Sequence, residues 1–118
     1  MKEFVLIFRT ENNPDFKPTP AQMQDMMTSW SNWMGGIAAR DRLVSGGSRL
    51  GIKESRTVGP DNMVSDGPYT EIKEFINGYI IVRSNTVDEA VEMAKGCPIL
   101  HGRGKVEVRP VVTADNFE

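Results

Sequence analysis

Two short runs constrain this chain most. Phe4-Val5-Leu6-Ile7-Phe8 is apolar at five consecutive positions, and Tyr79-Ile80-Ile81-Val82 at four. Their short length and their aromatic and β-branched content predict strands rather than helices. A strand with one wet face alternates between apolar and polar residues. These two do not, so both faces of each need cover.

The remaining elements arrange themselves around those two strands. Thr19-Pro20-Ala21-Gln22 reads as a helix start: Thr19 suits the N-cap, Pro20 the first helical position and Gln22 the third residue of a capping box. Met23, Met26, Met27, Trp30, Trp33, Met34 and Ile37 then recur at helical spacing. A helix is predicted over residues 20–39, with Gly35-Gly36 marking either close packing or an early break. Arg40-Asp41-Arg42 is a turn, and residues 43–50 form a glycine-rich strand prone to bulge. Residues 53–58 and 63–65 flank a Gly59-Pro60-Asp61-Asn62 turn and predict an exposed hairpin. Ser65-Asp66-Gly67-Pro68-Tyr69 is a further turn, followed by the charged residues Glu71, Lys73 and Glu74 and then the second apolar strand. Thr86 and Glu89 have capping-box spacing and open a helix of about nine residues, which Gly96 and Pro98 end. Residues 99–104 read as loop. Lys105-Val106-Glu107-Val108-Arg109 alternates, giving a strand with one apolar and one charged face.

This order predicts an α+β fold: a ferredoxin-like βαββαβ antiparallel sheet with two helices on one face and an extra β-hairpin. The first and third core strands are central in that arrangement, and they are the two runs apolar on both faces. Two helices cover one face of such a sheet. The other face needs a second covering, for which a second copy of the chain is the simplest source. Sheet-on-sheet packing then makes a barrel-like homodimer. The alternative is that the hairpin folds over that face.

Length and composition exclude several classes. With 118 residues, 39% of them hydrophobic and 25% charged, the chain has the size and balance of one globular domain spanning residues 1–118. A net charge of −2 argues against nucleic-acid binding. No apolar run approaches the roughly 20 residues of a membrane span, and Met1-Lys2-Glu3 leads straight into strand, so no signal peptide is expected. A single cysteine, Cys97, fits a reducing compartment, most simply the cytoplasm. One His and one Cys leave no structural zinc site, and neither metal nor cofactor is expected.

Several residues are candidates for chemistry. Asp66 is a potential general acid or base beside the sheet, or else an ordinary turn residue bonded to its own backbone. His101, the single histidine, titrates near neutrality if free, and otherwise is merely exposed. Lys73 and Arg109 suit a ligand carboxylate or phenolate. With Glu71 and Glu107 they also suit an ion-pair network, and Glu74 and Glu107 are further candidate ligand contacts. Glu107 and Arg109 belong to the charged face of the last strand, where unpaired charges under a second sheet are costly. Tyr79 offers a hydroxyl to a pocket or packs in the core. Trp30, Trp33 and the methionines read as core. Cys97, at a helix end rather than a start, lacks the field that activates thiols and reads as packing.

Asp66-Gly67-Pro68-Tyr69, Glu71, Lys73-Glu74, Gly78-Tyr79, Asp88-Glu89-Ala90, Ala94, Cys97-Pro98 and Val106-Glu107-Val108-Arg109-Pro110 follow one another in this order. Together they resemble the YCII-related (DGPF-motif) family, as does the helix carrying Trp30 and Trp33. The resemblance covers most of the chain. Tyr69 stands where the family usually has Phe, and Arg40-Asp41-Arg42 lacks an expected glycine. The resemblance implies a dimeric α+β barrel of ferredoxin-like subunits. Function in the family is largely unassigned. Some relatives are attributed a His–Asp pair, whose histidine has no secure counterpart at His101. A few take part in breakdown of chlorinated aromatics, and some are fused to sigma-like regulators. The shared architecture also hosts cofactor-free monooxygenases and isomerases. For this chain the resemblance implies a small-molecule pocket near Asp66 and metal-free acid–base chemistry on a small cyclic or aromatic compound. A non-catalytic dimer that binds a metabolite or a protein partner is the alternative.

Overall fold

The computed structural model describes residues 1–11, 15–67 and 74–115. Strand β1 (Lys2–Glu11) contains the first apolar run and β5 (Glu74–Ser84) the second. Between them lie helix α1 (Pro20–Ala39), strand β2 (Leu43–Arg49) and a hairpin of β3 (Arg56–Val58) and β4 (Val64–Asp66). Helix α2 (Val87–Ala94) and strand β6 (Lys105–Pro110) complete the described elements. The main sheet is antiparallel with order β2-β5-β1-β6, so the two apolar strands are central, as their composition requires.

Register assigns each side chain to a face. Phe4, Leu6 and Phe8 stand opposite Val82, Ile80 and Gly78, and this face is buried under the helices. Val5, Ile7 and Arg9 stand on the other face, opposite Ile81, Tyr79 and Ile76. A bulge between Phe8 and Arg9 skips Asn77 and shifts β5 by one residue, which brings Ile76 opposite Arg9 on the same face as Tyr79 and Ile81. Ile37 of α1 and Ala90, Met93 and Ala94 of α2 close the core from above.

Aromatic side chains fix how the helices sit. Phe8, Trp30 and Trp33 meet edge to face, with ring centroids 4.9 to 5.9 Å apart. The Trp33 indole donates to the Met93 carbonyl at 2.9 Å and joins α1 to α2. Both tryptophans therefore serve the core. Thr19 and Gln22 make the expected reciprocal capping box. Thr86 accepts from the Glu89 backbone, but the Glu89 carboxylate reaches the Asn85 amide instead of returning to Thr86.

Several local expectations are corrected. Gly35 and Gly36 neither break α1 nor pack closely, since a Cβ on either would meet open space. Residues 53–55 lie outside β3, which starts at Arg56. The segment read as loop from residue 99 begins with a 3-10 turn, Pro98–His101. The glycine missing from the α1–β2 turn is replaced by Asp41, which takes a left-handed φ of 57°. Aspartate tolerates this better than most side chains. Within β2, Gly47 has φ +60°, and a Cβ there would overlap the Tyr79 carbonyl oxygen. Only glycine fits that bulge.

The hairpin does not fold onto the sheet. Among the described residues, every hydrogen bond and ion pair of residues 52–67 stays within that segment. Its apolar side chains Val58, Met63 and Val64 are 64, 73 and 63% exposed.

Candidate functional site

The sheet face opposite the helices is the surface that carries unspent chemistry. Val5, Ile7, Tyr79 and Ile81 form its half-buried apolar centre, and Ile76 stands exposed at one end. They share this face because each is the cross-strand partner of another. The same register brings β6 alongside: Val5 faces Arg109, Ile7 faces Glu107 and Arg9 faces Lys105. The alternation of β6 therefore directs its charged residues onto the open face and Val106 and Val108 towards the helices.

The charges beside the apolar centre form a short chain. The Arg9 guanidinium donates to Glu107 Oε1 at 2.8 Å, and Arg109 approaches the other carboxylate oxygen at 3.5 Å. Two guanidiniums thus share one carboxylate, which leaves one net positive charge. Arg109 is the looser partner, with 65% of its side chain exposed against 26% for Arg9. Its planar fork retains donors that can reach an incoming carboxylate or phenolate. Further along, Lys105 donates to Glu74 at 2.7 Å, and this bond to a carboxylate holds the Lys105 ammonium above its ordinary pKa. Arg103 lies 3.7 Å from Glu11.

The nominated residues are distributed unevenly over this surface. Glu107, Arg109 and Tyr79 share the open face, and the Tyr79 hydroxyl makes no hydrogen bond among the described residues. Glu74 stands at its end, engaged with Lys105. Lys73, together with Glu71 and Tyr69, lies outside the described residues. Asp66 ends β4 on the projecting hairpin, 95% exposed, with Arg56 at 3.3 Å. His101 is exposed at the end of the 3-10 turn that packs under α1 and beside β6. Asp66 and His101 are not joined by a hydrogen bond or ion pair among the described residues.

Arg9 is the residue that sequence reading missed. It follows the apolar run directly and looks like a flank. Counting Val5, Ile7 and Arg9 along one face places it beside Glu107 only once β6 is known to be the neighbour of β1. Residues 68–73, which adjoin the expected pocket position near Asp66, lie outside the described residues. A cleft of about 370 Å³ opens between α2 and β6, lined by Val87, Val91, Leu100, Val106 and Val108 with Lys95 at its rim. It includes none of the nominated residues.

Among the described residues, no three His, Cys, Asp or Glu side chains converge as metal ligands would, and no helix is long and apolar enough to cross a membrane. Cys97 is fully buried, and burial pushes its thiol up to about 11. No curated protein matches the chain at a significant level. The YCII-related domain matches residues 4–115, nearly the whole length, and so takes in both central strands, both helices and the charged strand β6. The chain is a member of the YCII-related family.

Proposed function

We propose that this protein works as a homodimer that encloses a small-molecule chamber against its open sheet face. The ligand is a small cyclic or aromatic compound bearing a carboxylate or phenolate. One observation carries the reading: an apolar sheet centre of Val5, Ile7, Tyr79 and Ile81 flanked by a charge cluster with one cation in excess. An apolar wall with a few convergent polar groups is the usual make-up of a small-molecule site. Arg109 supplies the anion contact, Tyr79 a hydrogen bond, and the aliphatic residues the surface for a ring. In the single chain these side chains are only half-buried, with Ile76 exposed beside them, and a second copy is the simplest source of further cover.

Acid–base chemistry on the bound compound is the second reading. The observation that favours it is Asp66, a carboxylate 95% exposed whose neighbour Arg56 lies at 3.3 Å, so that it retains lone pairs for a substrate proton. Binding without turnover accounts for the open face equally well.

The test uses benzoate as probe and benzyl alcohol as its uncharged counterpart. Benzoate raises the melting temperature of the wild-type protein in a concentration-dependent way, benzyl alcohol does so far less, and Arg109→Met removes the difference. The loss corresponds to one charge-assisted contact, about 1.5–3 kcal/mol, or roughly 10- to 100-fold in affinity. Equal responses to both probes, or an unaltered preference in Arg109→Met, would dismiss the anion site.

A further inference from the structure

We propose that the β3–β4 hairpin is an exchange arm: in the homodimer each hairpin lies along the rim of the other copy's open sheet face and brings its Asp66 to that copy's Arg109. The inference rests on the dimeric reading above and specifies which part of the second copy completes the site: Asp66 holds the Arg109 contact while no ligand is bound, and an incoming carboxylate or phenolate takes its place on the guanidinium.

The hairpin carries apolar side chains that find no cover among the described residues of its own chain. Val58 and Val64 are direct cross-strand partners, so they share a face, and the pairing puts Arg56 and Asp66 on that same face two residues further on. That face is therefore an apolar pair at one end and an ion pair at the other. All four residues are exposed. A two-stranded hairpin with three-residue strands is marginal in isolation, and Val58, Met63 and Val64 on its surface have no apolar cover.

The open sheet face offers a matching arrangement. Ile7 lies opposite Glu107, and Arg109 lies two residues along β6. The diagonal from Ile7 to Arg109 is about 7 Å in an antiparallel sheet, close to the roughly 7 Å of two residues along a strand. Val58 and Val64 set over Ile7 thus carry Asp66 to Arg109. The charges agree as well. Residues 52–67 contain Lys53 and Arg56 against Glu54, Asp61 and Asp66, one net negative charge. Arg9, Glu107 and Arg109 leave one net positive charge. Since both surfaces belong to the same chain, a two-fold axis satisfies each with the other, which is the defining property of an isologous contact.

A mixing experiment decides the matter by sedimentation equilibrium, with far-UV circular dichroism confirming that every variant is folded. Asp66→Lys and Arg109→Asp are prepared as separate chains. Each alone sets like charges together in both contacts and dimerises at least tenfold more weakly than wild type. Mixed, they form a heterodimer in which one contact joins the introduced lysine to the introduced aspartate. The other contact keeps the wild-type pair of Asp66 and Arg109, and affinity returns. Restoration on mixing supports the exchange. A mixture no tighter than its components overturns it, as does a hairpin that folds back on its own sheet, because that contact cannot be repaired in trans. Val64→Asp is the second variant. Its site is already in water in the single chain, so folding is unaffected, and its dimer weakens at least tenfold. A Val64→Asp dimer as tight as wild type also overturns the exchange. A wild-type protein that stays monomeric fails at the earlier step and removes the dimeric reading itself.

Discussion

Cys97 shows how much a single buried side chain settles. Burial of its thiol raises the pKa from 9.0 to about 11, while a hydrogen bond with the Ile99 backbone pulls less strongly the other way. An unfolded chain releases this proton near its ordinary value, whereas the folded chain holds it about two units longer. The native state then binds more protons between these values, so stability falls as pH rises through that window and is intact below it. We predict that wild-type unfolding free energy drops between pH 9 and 11 by on the order of 2 kcal/mol more than that of Cys97→Ala. Urea denaturation at stepped pH measures this, and parallel slopes for the two proteins would count against it. The Lys105–Glu74 pair is present in both proteins and cancels from the comparison. Inert packing at Cys97 was legible from its place at a helix end ahead of Pro98. Arg9 was not legible, because its meaning depends on a cross-strand neighbour in β6 almost a hundred residues away.

Helix α1 behaves as two halves. Its C-terminal half is held by Trp30, Trp33, Met34 and Ile37 against the core, while Met23, Met26 and Met27 are 49, 46 and 63% exposed. The sequence places all seven residues at one helical spacing, which defines a stripe but does not say how far the sheet extends beneath it. The N-terminal half is therefore stabilised mainly by its Thr19–Gln22 capping box. Removing that cap with Thr19→Ala costs about 1 kcal/mol, a loss that appears as local opening. We predict about fivefold faster amide exchange over residues 22–27, with residues 33–38 and the global unfolding midpoint nearly unchanged. A shift in the midpoint with no local acceleration would show instead that the two halves open together. The central strands were legible for the opposite reason: burial on both faces is written in consecutive residues. The 3-10 turn Pro98–His101 was not, since four residues carry too little pattern to distinguish it from loop.

At the scale of the molecule, shape and surface point the same way. The Cα radius of gyration is 16.0 Å, against about 13.5 Å for a compact chain of this length. The extents of 43 × 39 × 18 Å describe a plate rather than a ball. One side of the plate carries helices, and the other exposes the apolar centre of the sheet. Sequence alone implied that this face needs cover, because β1 and β5 are apolar on both sides. It did not show that the hairpin would project away, since nothing in residues 52–67 states which surface they pack upon. The two possible covers make different demands on Ile81, which lies on the open face opposite Val5 and Ser45. If that face remains in water, a lysine there extends its ammonium into solvent and changes stability by less than about 1 kcal/mol. If a second sheet covers it, the ammonium is buried without a partner and costs several kcal/mol. We predict that Ile81→Lys folds with a monomer stability close to wild type but dimerises at least about 100-fold more weakly, equivalent to roughly 3 kcal/mol. Sedimentation equilibrium and denaturation across a range of protein concentrations separate the two quantities. A dimer that tolerates the lysine would require the copies to meet through another surface, such as the α2–β6 cleft, and would leave the sheet face open to solvent and to ligands.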